Sequence, residues 1–101
     1  MAYYLQLLNL TDAGRRNFEE DPEWIKEVNK EIERMGARIL TQYALLGQFD
    51  FVNIIEASGD EVAAKLSIKL SAGGTTQSMT LAAIPLNNLI EALKKEPHTP
   101  W

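Results

Sequence analysis

The chain predicts an α+β fold: a four-stranded antiparallel sheet with helices on one face. Three observations carry that expectation. Aromatic and aliphatic runs near residues 2–10, 37–46, 49–57 and 75–84 read as strands. The stretches following the first and third of these runs carry apolar residues at helical spacing instead. The chain has 101 residues, 46% of them hydrophobic, which suits one domain with its own core. The order is β-α-β-β-α-β plus a terminal helix, the order of a ferredoxin-like plait.

Each element has a local cause. "AYYLQLLNL" has one internal glutamine and ends at the turn-like "TDAG", as a largely buried strand would. Asp12 can cap a short helix running through Phe18. Asp21 can cap a second segment with Pro22 at its first position, where the missing N–H costs nothing. Ile25, Val28, Ile32 and Met35 then form one apolar stripe, and Gly36 is a natural stop. Gly47-Gln48 reads as a two-residue hairpin loop needing positive φ at the glycine. Beyond "SGDE", Val62, Ala63, Leu66 and Leu70 share a helix face that ends at "AGG". A strand through "TTQSMTLAAI" and a helix from about Leu86 to Lys94 complete residues 1–95. The tail 96–101, "EPHTPW", reads as irregular because its prolines oppose helix.

Pairing Leu46 with Phe49 sets Tyr43 opposite Val52 and Ile39 opposite Glu56. Both sheet faces are then too apolar for one of them to meet water. A second copy covering the open face is expected, most simply as a homodimer or a higher oligomer built from it. The helix side is expected to hold Leu5, Leu7, Val52, Ile54, Met79 and Leu81. The open face would carry Gln6, Arg38, Gln42, Asn53 and Thr80.

Composition removes several classes of function. A formal charge of −4 without any basic run argues against nucleic acid. With no cysteine there is no disulfide, thiolate chemistry or cysteine-based metal site. No apolar run reaches the ~20 residues of a membrane helix, and the N-terminus lacks the pattern of a signal peptide, so no membrane role is expected. A cytoplasmic protein is the expectation. His98 alone cannot hold a metal, the serines have no histidine at useful spacing, and "SAGG" lacks the ending of a phosphate loop, so neither metal nor cofactor is expected.

"GQFDFV" from Gly47 to Val52, preceded by "LLNLTDAG" and followed by "GDEVAAKL", resembles the GYD family, small ferredoxin-like proteins with a Gly-x-Tyr-Asp motif. The resemblance spans about residues 3 to 85. Phe49 stands where that family has tyrosine, so a hydroxyl proton donor does not carry over. What the resemblance implies is the fold, with no reaction attached. At fold level the chain is also similar to dimeric α+β barrel proteins, among them cofactor-independent monooxygenases and small-molecule-binding regulators.

Asp50 is the first site candidate. The topology puts it near the start of the first helix, beside Arg15 and Arg16, where helix N–H groups and dipole favour a carboxylate. That is a structural anchor, and a general base in an apolar pocket is the weaker alternative. Arg15 and Arg16 could hold an anion, or pair with Glu19 and Glu20. Gln6, Arg38, Gln42 and Asn53 could line a cavity between sheets or serve as hydrogen-bonded interface residues. Trp24 belongs at the edge of the core and Trp101 could serve assembly. The first functional reading is a homo-oligomeric module that binds a small molecule or regulates. The alternatives are a cofactor-independent enzyme, monooxygenase- or isomerase-like, and a structural assembly subunit. The missing tyrosine and the single histidine weigh against the enzyme.

Overall fold

A computed structural model describes residues 1–95. Strand β1 (Ala2–Leu10) leads into helix α1 (Asp12–Glu20), a 3-10 turn (Pro22–Trp24) and helix α2 (Ile25–Arg34). Strands β2 (Arg38–Ala44) and β3 (Phe51–Ala57) form the hairpin. Helix α3 (Asp60–Ala72), strand β4 (Thr76–Ala83) and helix α4 (Leu86–Lys94) follow. The sheet order is β2-β3-β1-β4 and every pairing is antiparallel, the ferredoxin-like arrangement expected. The tail 96–101 lies outside the described residues.

Thr11 rather than Asp12 caps α1, its hydroxyl oxygen accepting from the Gly14 N–H at 3.2 Å. The same hydroxyl donates to the Gly74 carbonyl, and the Thr11 N–H donates to the Thr75 carbonyl. The start of α1 is thereby fastened to the start of β4. Gly14 makes that approach possible, since a Cβ there would lie 2.1 Å from the Thr75 carbonyl oxygen. Asp21 does cap the next segment, accepting from the Glu23 N–H with Pro22 just inside.

The core lies between sheet and helices. Val28 and Ile32 of α2 and Ala63, Leu66 and Leu70 of α3 pack on Tyr4, Leu8, Leu10, Phe51 and Ile55. Phe18 of α1 meets Phe51 edge to face, ring centroids 5.6 Å apart, and Trp24 packs at the edge of the cluster.

This inverts the expected assignment of faces. Leu5, Leu7, Val52, Ile54, Met79 and Leu81 alternate out of the core, whereas Gln6 and Asn53 are fully buried on the helix side. Counting polar residues misassigned the faces because Gln6, Asn53 and Gln42 stand level on adjacent strands and hydrogen-bond to one another in a row. The hairpin is also wider than expected. Leu45 N–H donates to the Asp50 carbonyl at 2.8 Å, so four residues span the turn, still with positive φ at Gly47. Tyr43 pairs with Val52 as expected, but an irregularity between Ile39 and Thr41 sets Ile39 opposite Ile55 and Arg38 opposite Glu56. Arg38 therefore leaves the side of the glutamine and asparagine residues, and its guanidinium lies 3.6 Å from the Glu56 carboxylate.

Candidate functional site

Two regions on the helix side gather the chemistry. The first is the corner where the hairpin meets the end of β1. There the Asp50 N–H donates to the Leu8 carbonyl at 2.9 Å, and its carboxylate accepts from the Leu10 N–H at 2.8 Å. Pairing of β1 with β3 ends at Leu8 and Phe51, so Asp50 prolongs the contact by side chain where the ladder stops. Asp50 answers an N–H at the strand end, immediately before the α1 cap, in place of the helix's own first amides. Arg15 is directed to Asp12 at 3.0 Å, with both side chains exposed, and Arg16 is exposed. A cavity of about 320 Å³ borders this corner, lined by Arg15, Phe18, Glu19, Leu45, Asp50 and Phe51 among others. It brings together Asp50 and Arg15 of the expected set. Phe49 is half-buried in the turn.

The second region begins with a row of amides under α2. Gln6 accepts from Asn53 at 2.8 Å, Asn53 accepts from Gln42 at 2.8 Å, and Gln42 and Asn29 exchange hydrogen bonds at 2.9 and 3.0 Å. Three of the four expected polar residues thus meet, though beneath a helix and away from the open face. Asn29 was not anticipated. Its position four residues after Ile25 and three before Ile32 places it on the inward stripe, and that spacing was the available signal. At the other end of the row, the Gln6 amide nitrogen and the Thr80 hydroxyl are buried without a hydrogen-bond partner among the described residues, and the two residues lie opposite each other in register.

Thr80 opens onto a groove of about 220 Å³ between α3 and β4, lined also by Tyr4, Asp60, Ala63, Ala64 and Ala82. The Tyr4 hydroxyl donates to the Asp60 carboxylate at 2.6 Å. That bond, with burial and the adjacent negative charge adding to it, raises the Tyr4 pKa above its ordinary value. Sequence reading missed this pair because 56 residues separate its members. The groove sets the Tyr4–Asp60 pair and Thr80 between alanine walls, a lining suited to holding a small polar molecule. Among the described residues no group of three or more His, Asp or Glu side chains is arranged to hold a metal ion.

Across the whole plait, residues 4–93 match the GYD domain family. This chain belongs to that family. In this GYD protein the motif aspartate is Asp50, the residue that fastens the hairpin to β1. A curated protein of Thermus thermophilus, named "Glutamine synthetase and cystathionine beta-lyase binding protein", is 44% identical over 95 residues. That alignment covers 93% of this chain and 100% of the relative. No solved structure matches. No helix among the described residues is long and apolar enough to cross a membrane.

Proposed function

We propose that this GYD protein is a self-associating, cytoplasmic binding module that regulates enzymes by contact, rather than by catalysis of its own. The observation that carries self-association is the open sheet face. Its two central cross-strand rows are Thr41–Ile54–Leu5–Leu81 and Tyr43–Val52–Leu7–Met79. Polar residues flank them, Arg38 and Glu56 in the row that Tyr3 and Ala83 continue, and Asn9 and Gln77 at the other end. An apolar centre inside a polar rim is the anatomy of a protein interface. Ile54, Met79, Leu81 and Tyr43 are all exposed in a single copy. Support for enzymes as partners comes from the relative, whose name pairs it with glutamine synthetase and cystathionine beta-lyase.

Sedimentation velocity tests the first half, and the expected outcome is a dimer or a multiple of it. A monomer at the highest soluble concentration would overturn self-association. Titration of the immobilised protein with purified glutamine synthetase and cystathionine beta-lyase tests the second half. Saturable binding of at least one is expected, and binding of neither would overturn the choice of partners.

A second reading has its own support. Tyr4, Asp60 and Thr80, which line one groove, favour a small polar effector there. Thermal-shift screening with amino acids and small carboxylates is expected to find a ligand whose stabilisation Thr80→Val abolishes.

A further inference from the structure

Helix α4 has no buried residue in the single copy. Leu86, Leu89, Ile90 and Leu93 fall at i, i+3, i+4 and i+7, one stripe, yet they are exposed by 68, 43, 37 and 59%. Ile84, in the connection before it, is exposed by 68%. Glu91 and Lys94 pair on the helix surface at 3.5 Å. The radius of gyration is 16.5 Å, against about 13 Å for a compact chain of this length.

Two physical facts limit what such a helix can be. It has nine residues, and isolated helices under about 12 residues are marginal in water, so α4 needs a surface to pack on. The open sheet face also falls short by itself. Four strands about 4.8 Å apart and four rows of alternating residues cover roughly 500 Å², whereas a stable dimer buries about 800 Å² per partner. A nine-residue helix is about 13 Å long and about 10 Å wide. Its apolar stripe, together with the matching strip it would cover on a partner, makes up most of that shortfall.

We infer that α4 is an arm exchanged between two copies of this chain: its Leu86–Leu93 stripe packs on the partner and seals the end of the open-face interface. Continuity supports a second copy as the occupant. From Leu81 on the open face of β4 to Leu86 at the start of the stripe the chain has no polar residue, and Met79, Leu81, Ile84 and Leu86 are all exposed. The unbroken apolar character also fits a permanent interface, since obligate contacts are the more hydrophobic ones. The charged outer surface of α1, the 3-10 turn and α2, with its Arg15–Asp12, Lys26–Glu23 and Lys30–Glu27 pairs, remains free for transient partners.

This inference rests on self-association through the open face, and the test separates the two. Sedimentation velocity and amide hydrogen exchange are measured on the full chain over a dilution series, for the wild type and for Leu89→Glu/Leu93→Glu. Protection of residues 86–94 in the wild type is expected to rise and fall with the dimer fraction. The double variant is expected to dimerise at least tenfold more weakly, with exchange in β1 and β3 unchanged. A wild-type dimer whose α4 exchanges fast, or a double variant that dimerises normally, overturns the arm and leaves the sheet-face dimer standing. Protection of α4 independent of dilution overturns exchange in favour of packing on its own copy. Protection seen only after glutamine synthetase is added overturns it in favour of an enzyme as occupant. A wild-type monomer with unprotected α4 overturns both readings.

Discussion

The two faces of the sheet carry comparable numbers of aliphatic and aromatic side chains, yet the described residues cover only one of them. At its centre the covered face carries the polar row Gln42–Asn53–Gln6–Thr80, where the open face has a run of leucine, isoleucine, valine and methionine. The difference teaches that burial follows satisfaction more closely than it follows polarity. Amides level with one another across strands lose little on leaving water, because each finds the other. The aliphatic residues of the open face make no such demand and can be covered by any apolar surface of matching shape.

A leucine on each face makes the largest expected contrast. Leu8→Ala removes a fully buried side chain and is expected to destabilise the fold by about 3 kcal/mol, read from chemical denaturation. Leu81→Asp, on the open face, is expected to leave the monomer folded while weakening self-association on the order of a hundredfold by sedimentation. Equal losses of fold stability in the two variants would erase the distinction between the faces.

Gly14→Ala comes next. Its new Cβ would meet the Thr75 carbonyl, a backbone atom that cannot swing away, and a loss of about 2–3 kcal/mol is expected in the same unfolding measurement. Asn53→Leu sharpens the point about satisfaction. It strands the Gln6 carbonyl oxygen and a Gln42 donor, at an expected cost of about 2 kcal/mol. Adding Gln6→Leu and Gln42→Leu to it should recover part of that loss, and a further additive loss would show that the amides act independently.

Asp50→Ala removes one carboxylate–amide hydrogen bond, worth about 2 kcal/mol, and should leave self-association and enzyme binding near normal. Abolished binding with unchanged melting would turn the corner from a clamp into a ligand site. The smallest effect belongs to Tyr4. Its folded pKa is raised, so its stabilising contribution is complete below the unfolded value near 10 and disappears as pH climbs through the folded value. Tyr4→Phe should therefore flatten the alkaline limb of a stability–pH curve and leave the neutral region almost level.

The element order was legible from the sequence because each segment kept one period throughout. Ile25, Val28, Ile32 and Met35 could only be a helix stripe, and the span of α4 was readable at both ends. The faces were not legible. Parity within a strand says which residues share a side, but only the lateral alignment of Gln6 with Asn53 and Gln42 says which side is covered, and alignment belongs to pairing rather than to any one strand. Arg38 was misplaced for a related reason, since one irregularity near Leu40 turns all residues before it to the opposite side. At the sites, Asp50 could be located by its place in the turn, whereas the Tyr4–Asp60 pair depends on how α3 settles over β1.

That irregularity near Leu40 has a further consequence, for growth at the margins of the sheet. β2 is an outer strand, and its broken register denies an incoming strand a continuous ladder of N–H and carbonyl groups. β4, the outer strand on the opposite side, pairs with β1 residue by residue without interruption. Strand addition is therefore disfavoured at the β2 margin, and β4 is left as the edge with the continuous ladder.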